Sequence, residues 1–297
     1  MLFDGFETSD VETPRGRVHV RIAGSGPPLL LLHGYPETHL MWHGVAPRMA
    51  ERFTVVAADL PGYGESFRPP VSEDHTAHSK RAFAGDLVAA MQELGHGSFA
   101  VAGHDRGGRV GYRMALDHPD AIEALAVLDI VPTGQIWSRA DDRFAFGYWH
   151  WAFLAQPAPL PERLLLGDPD GAWIAVQRMG IKEGDARYPD EVVAAYRAQL
   201  RDRATVEATC EDYRAGATID RALDDADRGD EHIIACEVLA LWAGDGALPR
   251  FYADPLELWR PYAPDVSGRA LEGVSHFLVE DAPDEVADEL LAFFAAE

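Results

Sequence analysis

Val101-Ala102-Gly103-His104-Asp105-Arg106-Gly107-Gly108 stands between an apolar run, Ser98 to Ala102, and a segment of helical spacing, Arg109 to Leu116. Its skeleton is Gly-x-Asp-x-Gly. Such a turn from strand to helix is crowded and strained, which is why glycines flank its apex. It lifts one side chain above the sheet at the start of the next helix, and here that side chain is Asp105. Other short apolar runs lie on both sides. Leu29 to Leu32 ends in His33-Gly34, Phe53 to Ala58 breaks at Pro61-Gly62-Tyr63-Gly64, and Leu125 to Leu128 ends in Asp129. Continuous apolar runs closed by turn residues suit strands buried on both faces of a parallel sheet. Lys80 to Leu94 between them has helical spacing.

The pattern changes from about residue 133 to 228. Tryptophans, tyrosines, arginines and the prolines Pro157, Pro159 and Pro161 sit among helix-type segments without clear strand runs. From about 229 the alternation returns: a strand at Val238 to Trp242, a helix near Pro255 to Arg260, a strand at Val266 to Leu271 and a closing helix from Pro283. The expected organisation is an α/β core of residues 1–132 and 229–297 with a helical cap of residues 133–228 between its halves.

Composition narrows the function. Among 297 residues, 26 Lys and Arg stand against 49 Asp and Glu, a net charge of −23. So negative a chain is not expected to bind nucleic acid or an anionic membrane surface. An anionic substrate would receive no long-range help and would need locally placed cations. Cys210 and Cys236 form no metal-ligand cluster and no disulfide framework, which suits a reducing cytoplasm. The opening MLFDGFETSD lacks the basic-then-apolar pattern of a secretory signal.

The residue type at the turn selects the chemistry. A serine that attacked a saturated carbon would leave a stable ether, whereas an aspartate leaves an ester that water can cleave. Asp105 therefore points to displacement at a saturated carbon, either dehalogenation or epoxide opening. His276, in Gly273-Val274-Ser275-His276-Phe277, follows the last apolar strand and can act as the base. The acid that orients it is Asp129 or Asp245; Asp129 is favoured because it directly ends an apolar strand. Arg106 and Arg109 lie three apart on the helix after the turn, share a face and suit a planar carboxylate. The backbone N–H groups of Tyr35 and Arg106 are the expected oxyanion donors.

These strings resemble the haloacetate (fluoroacetate) dehalogenases of the α/β-hydrolase superfamily. The likeness runs nearly end to end. It is strongest in His33 to Ser66, in Gly103 to Tyr112, in Leu128-Asp129-Ile130, in His150-Trp151-Ala152-Phe153-Leu154-Ala155-Gln156-Pro157 and in Cys210-Glu211-Asp212-Tyr213-Arg214-Ala215-Gly216. The resemblance implies a mostly parallel, doubly wound sheet with a helical cap inserted after the sixth core strand. It implies Asp105 as nucleophile, His276 as base, Asp129 as its acid, Arg106 and Arg109 on the substrate carboxylate, and His150, Trp151 and Tyr213 on the departing halide. No metal and no organic cofactor is required. The implied partner is a small anionic haloacid, and a homodimer is expected. Tyr35 departs from the Phe of close relatives. Arg106 stands where haloalkane dehalogenases carry Trp, which speaks against neutral haloalkanes. The rival is an epoxide hydrolase using the same Asp and His, with acid donors drawn from Tyr148, Tyr188, Tyr196 and Tyr213. A non-catalytic small-molecule binder on the same fold is the more distant alternative.

Overall fold

A computed structural model describes residues 2–295. Eight strands form one sheet: β1 Glu7–Thr13, β2 Gly16–Ala23, β3 Pro28–Leu32, β4 Thr54–Ala58, β5 Phe99–His104, β6 Ile122–Leu128, β7 Glu237–Ala243 and β8 Ser267–Leu271. Their order is β1-β2-β4-β3-β5-β6-β7-β8. β1, β2 and β4 pair antiparallel, and every pairing from β4 to β8 is parallel. The central strands are apolar and buried along their length, because helices cover both faces of a parallel sheet.

The order explains where a site can form. From β3 the chain passes to β4 on one side and then crosses to β5 on the other. The connections after β3 and β5 thus leave in opposite directions and open a crevice at the C-terminal ends of these strands. The loop His33-Gly34-Tyr35 and the apex Asp105 meet there.

Two local features differ from the sequence reading. The β1–β2 hairpin carries polar residues on an exposed edge, so no continuous apolar run marks it. The helix after β5 runs from Asp105 to Asp117, four residues earlier than its apolar spacing shows. Its first two turns contain Arg106 and Arg109, and both are buried like the aliphatic residues that follow. Between β6 and β7 lie eight helices, from Thr133–Ser138 to Ile219–Gly229, with no strand among the described residues.

Close packing fixes the turn. A Cβ added at Gly107 would lie 2.5 Å from the His33 carbonyl oxygen and 2.6 Å from that of Leu32. The helix therefore sits directly on the end of β3, and backbone atoms cannot yield as a flexible side chain would. Gly107→Ala is expected to cost about 1–3 kcal/mol through overpacking, read as a lower denaturant midpoint with an unchanged slope.

Candidate active site

Asp105 adopts φ +41°, a left-handed backbone conformation that a non-glycine residue reaches at a cost of about 1–3 kcal/mol. That strain turns its carboxylate out of the helix and toward the β3 loop. Its Oδ2 accepts the Tyr35 N–H at 3.1 Å. His33 braces this loop: its Nδ1–H donates to the Gly34 carbonyl at 2.7 Å, and its Nε2 accepts the Leu60 N–H at 3.0 Å. The Arg106 N–H belongs to the first turn of the helix and has no intrahelical acceptor. Of the two donors expected from the sequence, the Tyr35 N–H thus lies on the Asp105 carboxylate. Burial alone would raise the Asp105 pKa; the positive charges of His276, Arg106, Arg109 and His104 overcome it and hold the pKa at about 2.

His276 reaches the site from the loop after β8. Its Nδ1–H donates to Asp129 Oδ2 at 2.6 Å, which leaves Nε2 as the basic nitrogen. Asp129 is held in turn. Its Oδ1 accepts the Ala243 N–H at 3.0 Å, and its own N–H donates to the Leu241 carbonyl at 2.7 Å. Asp245 is exposed and has no contact with His276; its backbone carbonyl accepts from Arg250.

Behind this pair lies a buried ionic group that the sequence reading did not single out. His104 Nδ1 is 2.9 Å from Glu37 Oε2, and its Nε2 is 2.8 Å from the His276 carbonyl. Both neighbours are acceptors, so both ring nitrogens carry hydrogen and His104 is an imidazolium. Burial opposes that charge, but Glu37 outweighs it and raises the pKa to about 10. Glu280, also buried, has its pKa pushed up by desolvation and by the Glu37 charge; its Oε1 lies 2.9 Å from the Tyr196 hydroxyl. The His104 ring centroid is 4.7 Å from that of His276.

Arg106 and Arg109 are both buried beside Asp105 and both partly committed. Arg106 donates from Nε to Asp212 Oδ2 at 2.7 Å and from Nη2 to the Asp212 carbonyl at 2.9 Å. Arg109 donates from Nη1 to the Val131 carbonyl at 3.0 Å and to Thr133 Oγ1 at 3.1 Å. Each guanidinium keeps one terminal nitrogen, Nη1 of Arg106 and Nη2 of Arg109, without a partner among the described residues. Arg109 Nε is likewise buried without a partner among the described residues, so Arg109 presents an open Nε/Nη2 edge and Arg106 a single open nitrogen. Asp212 also accepts from Tyr63 Oη at 2.8 Å and pairs with Lys80. The string Glu211-Asp212-Tyr213 was visible in the sequence. That Asp212 faces inward was not, since its partners lie more than a hundred residues upstream.

Aromatic side chains from the helical segment close the site. Tyr213 stacks on Arg106 at 4.1 Å and Trp151 on Arg109 at 4.6 Å. The ring of Tyr213 lies 6.0 Å from His150, 6.1 Å from Trp151 and 5.8 Å from Tyr35. The Trp151 indole N–H, the Tyr213 hydroxyl and the His150 ring nitrogens have no hydrogen-bond partner among the described residues. Burial lowers the His150 pKa to about 4, so at neutral pH its ring is uncharged and offers one N–H. Two cavities meet at His150. One, of about 590 Å³, is lined largely by apolar residues of the helical segment and by Tyr35. The other, of about 700 Å³, reaches His276. Tyr188 and Tyr196 point their hydroxyls at Asp281 and Glu280, whereas those of Tyr148 and Tyr213 are uncommitted among the described residues.

Residues 27–283 match the α/β-hydrolase fold family. The chain is 42% identical to a fluoroacetate dehalogenase from Burkholderia sp. over 294 residues, 99% of this chain and 95% of that protein. It is 32% identical to a soluble epoxide hydrolase from Corynebacterium sp. (strain C12), with 94% of each chain covered. A solved structure from Nostoc sp. PCC 7120, assigned to the α/β-hydrolases, superposes with a TM-score of 0.95 at 44% identity, covering 99% of this chain and 100% of that one.

The His104 imidazolium makes stability depend on pH with a definite sign. Its folded pKa of about 10 lies above the ordinary 6.5, so its contribution is complete below pH 6.5 and lost as pH rises toward 10. His104→Gln should be less stable than the parent at pH 6, and the gap should narrow between pH 6.5 and 10. Denaturant midpoints at several pH values check this; a gap constant with pH contradicts the charged state.

Proposed function

Because this chain belongs to the haloacetate dehalogenase family of the α/β-hydrolases, we propose that it hydrolyses haloacetates, fluoroacetate among them, to glycolate and halide through an ester on Asp105. The observation that carries this reading is the pair of guanidinium nitrogens left open beside an ionised Asp105. A neutral substrate has no use for them.

In this reading each side chain has a definite role. Arg106 Nη1 and Arg109 Nη2 hold the substrate carboxylate by charge-assisted hydrogen bonds. Held so, the α-carbon faces Asp105, whose carboxylate attacks it from behind as the carbon–halogen bond breaks. The departing halide takes hydrogen bonds from Trp151 Nε1–H, Tyr213 Oη–H and a His150 N–H. Donors aimed at a developing anion are each worth roughly 2–4 kcal/mol by analogy with oxyanion-hole deletions. Fluoride, a poor leaving group and a strong acceptor, gains most from them. Water then loses a proton to His276 Nε2 and attacks the ester's carboxyl carbon. The Tyr35 and Arg106 N–H groups receive the charge that forms on the ester oxygen. Collapse expels glycolate, whose oxygen takes up one of the two water protons; the other leaves His276 for solvent, Asp105 is restored as a carboxylate, and Asp129 steadies the His276 imidazolium meanwhile.

The second reading is epoxide hydrolysis. The uncommitted hydroxyls of Tyr148 and Tyr213 favour it, since two such phenols could protonate an epoxide oxygen. Asp105 and His276 would serve unchanged, but the open nitrogens of the two arginines would then have no ligand to bind.

Fluoride release from fluoroacetate, followed with an ion-selective electrode, tests the proposal; diol formation from styrene oxide without halide release from any haloacetate would favour the second reading. Asp105→Asn should abolish turnover. His276→Asn should stall at the ester and add the mass of a bound –CH₂COO⁻ group to the peptide that carries Asp105. An unmodified peptide after exposure to substrate contradicts the two-step route.

A further inference from the structure

The cavity that reaches His276 opens between the helical segment and the core, and its wall is unlike the rest of the molecule. Arg143, Arg178, Lys182, Arg187 and Arg250 line it, against the acids Asp245 and Asp281. In the whole chain acids outnumber lysine and arginine by 49 to 26. At this mouth the ratio is reversed. Arg143 pairs with Asp141, and Arg187 with Asp185 and Asp281. Arg178 and Lys182 are exposed and form no ion pair among the described residues, and Arg250 donates only to the Asp245 carbonyl. At the floor of the same cavity stand His150 and His276. The second cavity at His150 is walled mainly by apolar residues and has Arg178 as its only charged lining residue.

We propose that this mouth is an anion port: Arg178, Lys182 and Arg250 gather small carboxylates from solution and pass them to the pair of arginines at Asp105. The inference rests on the haloacetate reading and adds the residues that let so acidic a protein capture an anion. A cavity of about 700 Å³ is only about as wide as the roughly 10 Å over which charges act at physiological salt. The fixed cations therefore act on a ligand throughout its passage, and clefts lined by one sign of charge concentrate ligands of the other. Beyond that distance the surrounding acidic surface is screened. None of these side chains touches the reacting atoms, so they govern capture and leave the chemical steps alone.

The test is the double variant Arg178→Glu/Lys182→Glu. Its control is Arg52→Glu/Arg163→Glu, which makes the same change of net charge at exposed positions outside both cavities. With chloroacetate, the port variant should lose about tenfold in kcat/KM at low ionic strength, the effect of four charge units acting across about 11 Å of water. Its kcat should be retained and the deficit should shrink as salt is added; the control should match the parent. An unchanged kcat/KM in the port variant, or an equal loss in the control, overturns the port. If the parent releases no halide from any haloacetate, the dehalogenase reading falls, and the port is then judged by calorimetric titration with glycolate and its neutral amide. Weaker binding of glycolate alone in the port variant upholds it. Equal binding by all proteins, or no binding to the parent, overturns it.

Discussion

The site hangs on one buried carboxylate. Asp212, on the helix Arg203–Ala217 between β6 and β7, accepts from Arg106 at the turn after β5 and from Tyr63 in the loop after β4, and it pairs with Lys80 at the start of the next core helix. All four residues are buried. Desolvating so many charges is expensive, and the arrangement holds only because each is hydrogen-bonded. Removing one partner of such a group costs about 3–5 kcal/mol, since the others are left buried and uncompensated. The same carboxylate decides which Arg106 nitrogen is free for a ligand. Attachment of the helical segment and aim of the guanidinium are thus one interaction.

Charges of alternating sign extend that logic across the site. Glu280 borders the Glu37 carboxylate, which pairs with the His104 imidazolium, and this cation adjoins both Asp105 and His276. His276 thus sits between the Asp129 carboxylate on its Nδ1 and the ring of His104. The His104 bond to the His276 carbonyl also fixes the main chain that carries the base.

What could be read from the sequence was whatever chemistry lies close along the chain. Gly103, Asp105 and Gly107 occupy one turn, and Asp129 sits at the end of an apolar strand, so turn and strand periodicity expose them. Arg106 and Arg109 were readable as neighbours on a helix, but not the bonds that use up half of each. Asp212, Glu37 and Glu280 looked like ordinary acids in a chain crowded with them, because burial of a charge leaves no local mark. The β1–β2 hairpin was hidden for a related reason: an edge strand must keep polar side chains to discourage further pairing, so its apolar signal is weak.

The helical segment enters after β6 as one continuous piece, and this divides the labour of the site. Asp105, Asp129, His276 and the Tyr35 N–H all belong to the core, whereas His150, Trp151 and Tyr213 come from the inserted helices. Substitutions at His150, Trp151 or Tyr213 can thus retune the aromatic roof over Asp105 while the strand ends that carry Asp105, Asp129 and His276 keep their places, provided that Asp212 keeps its hold on the core.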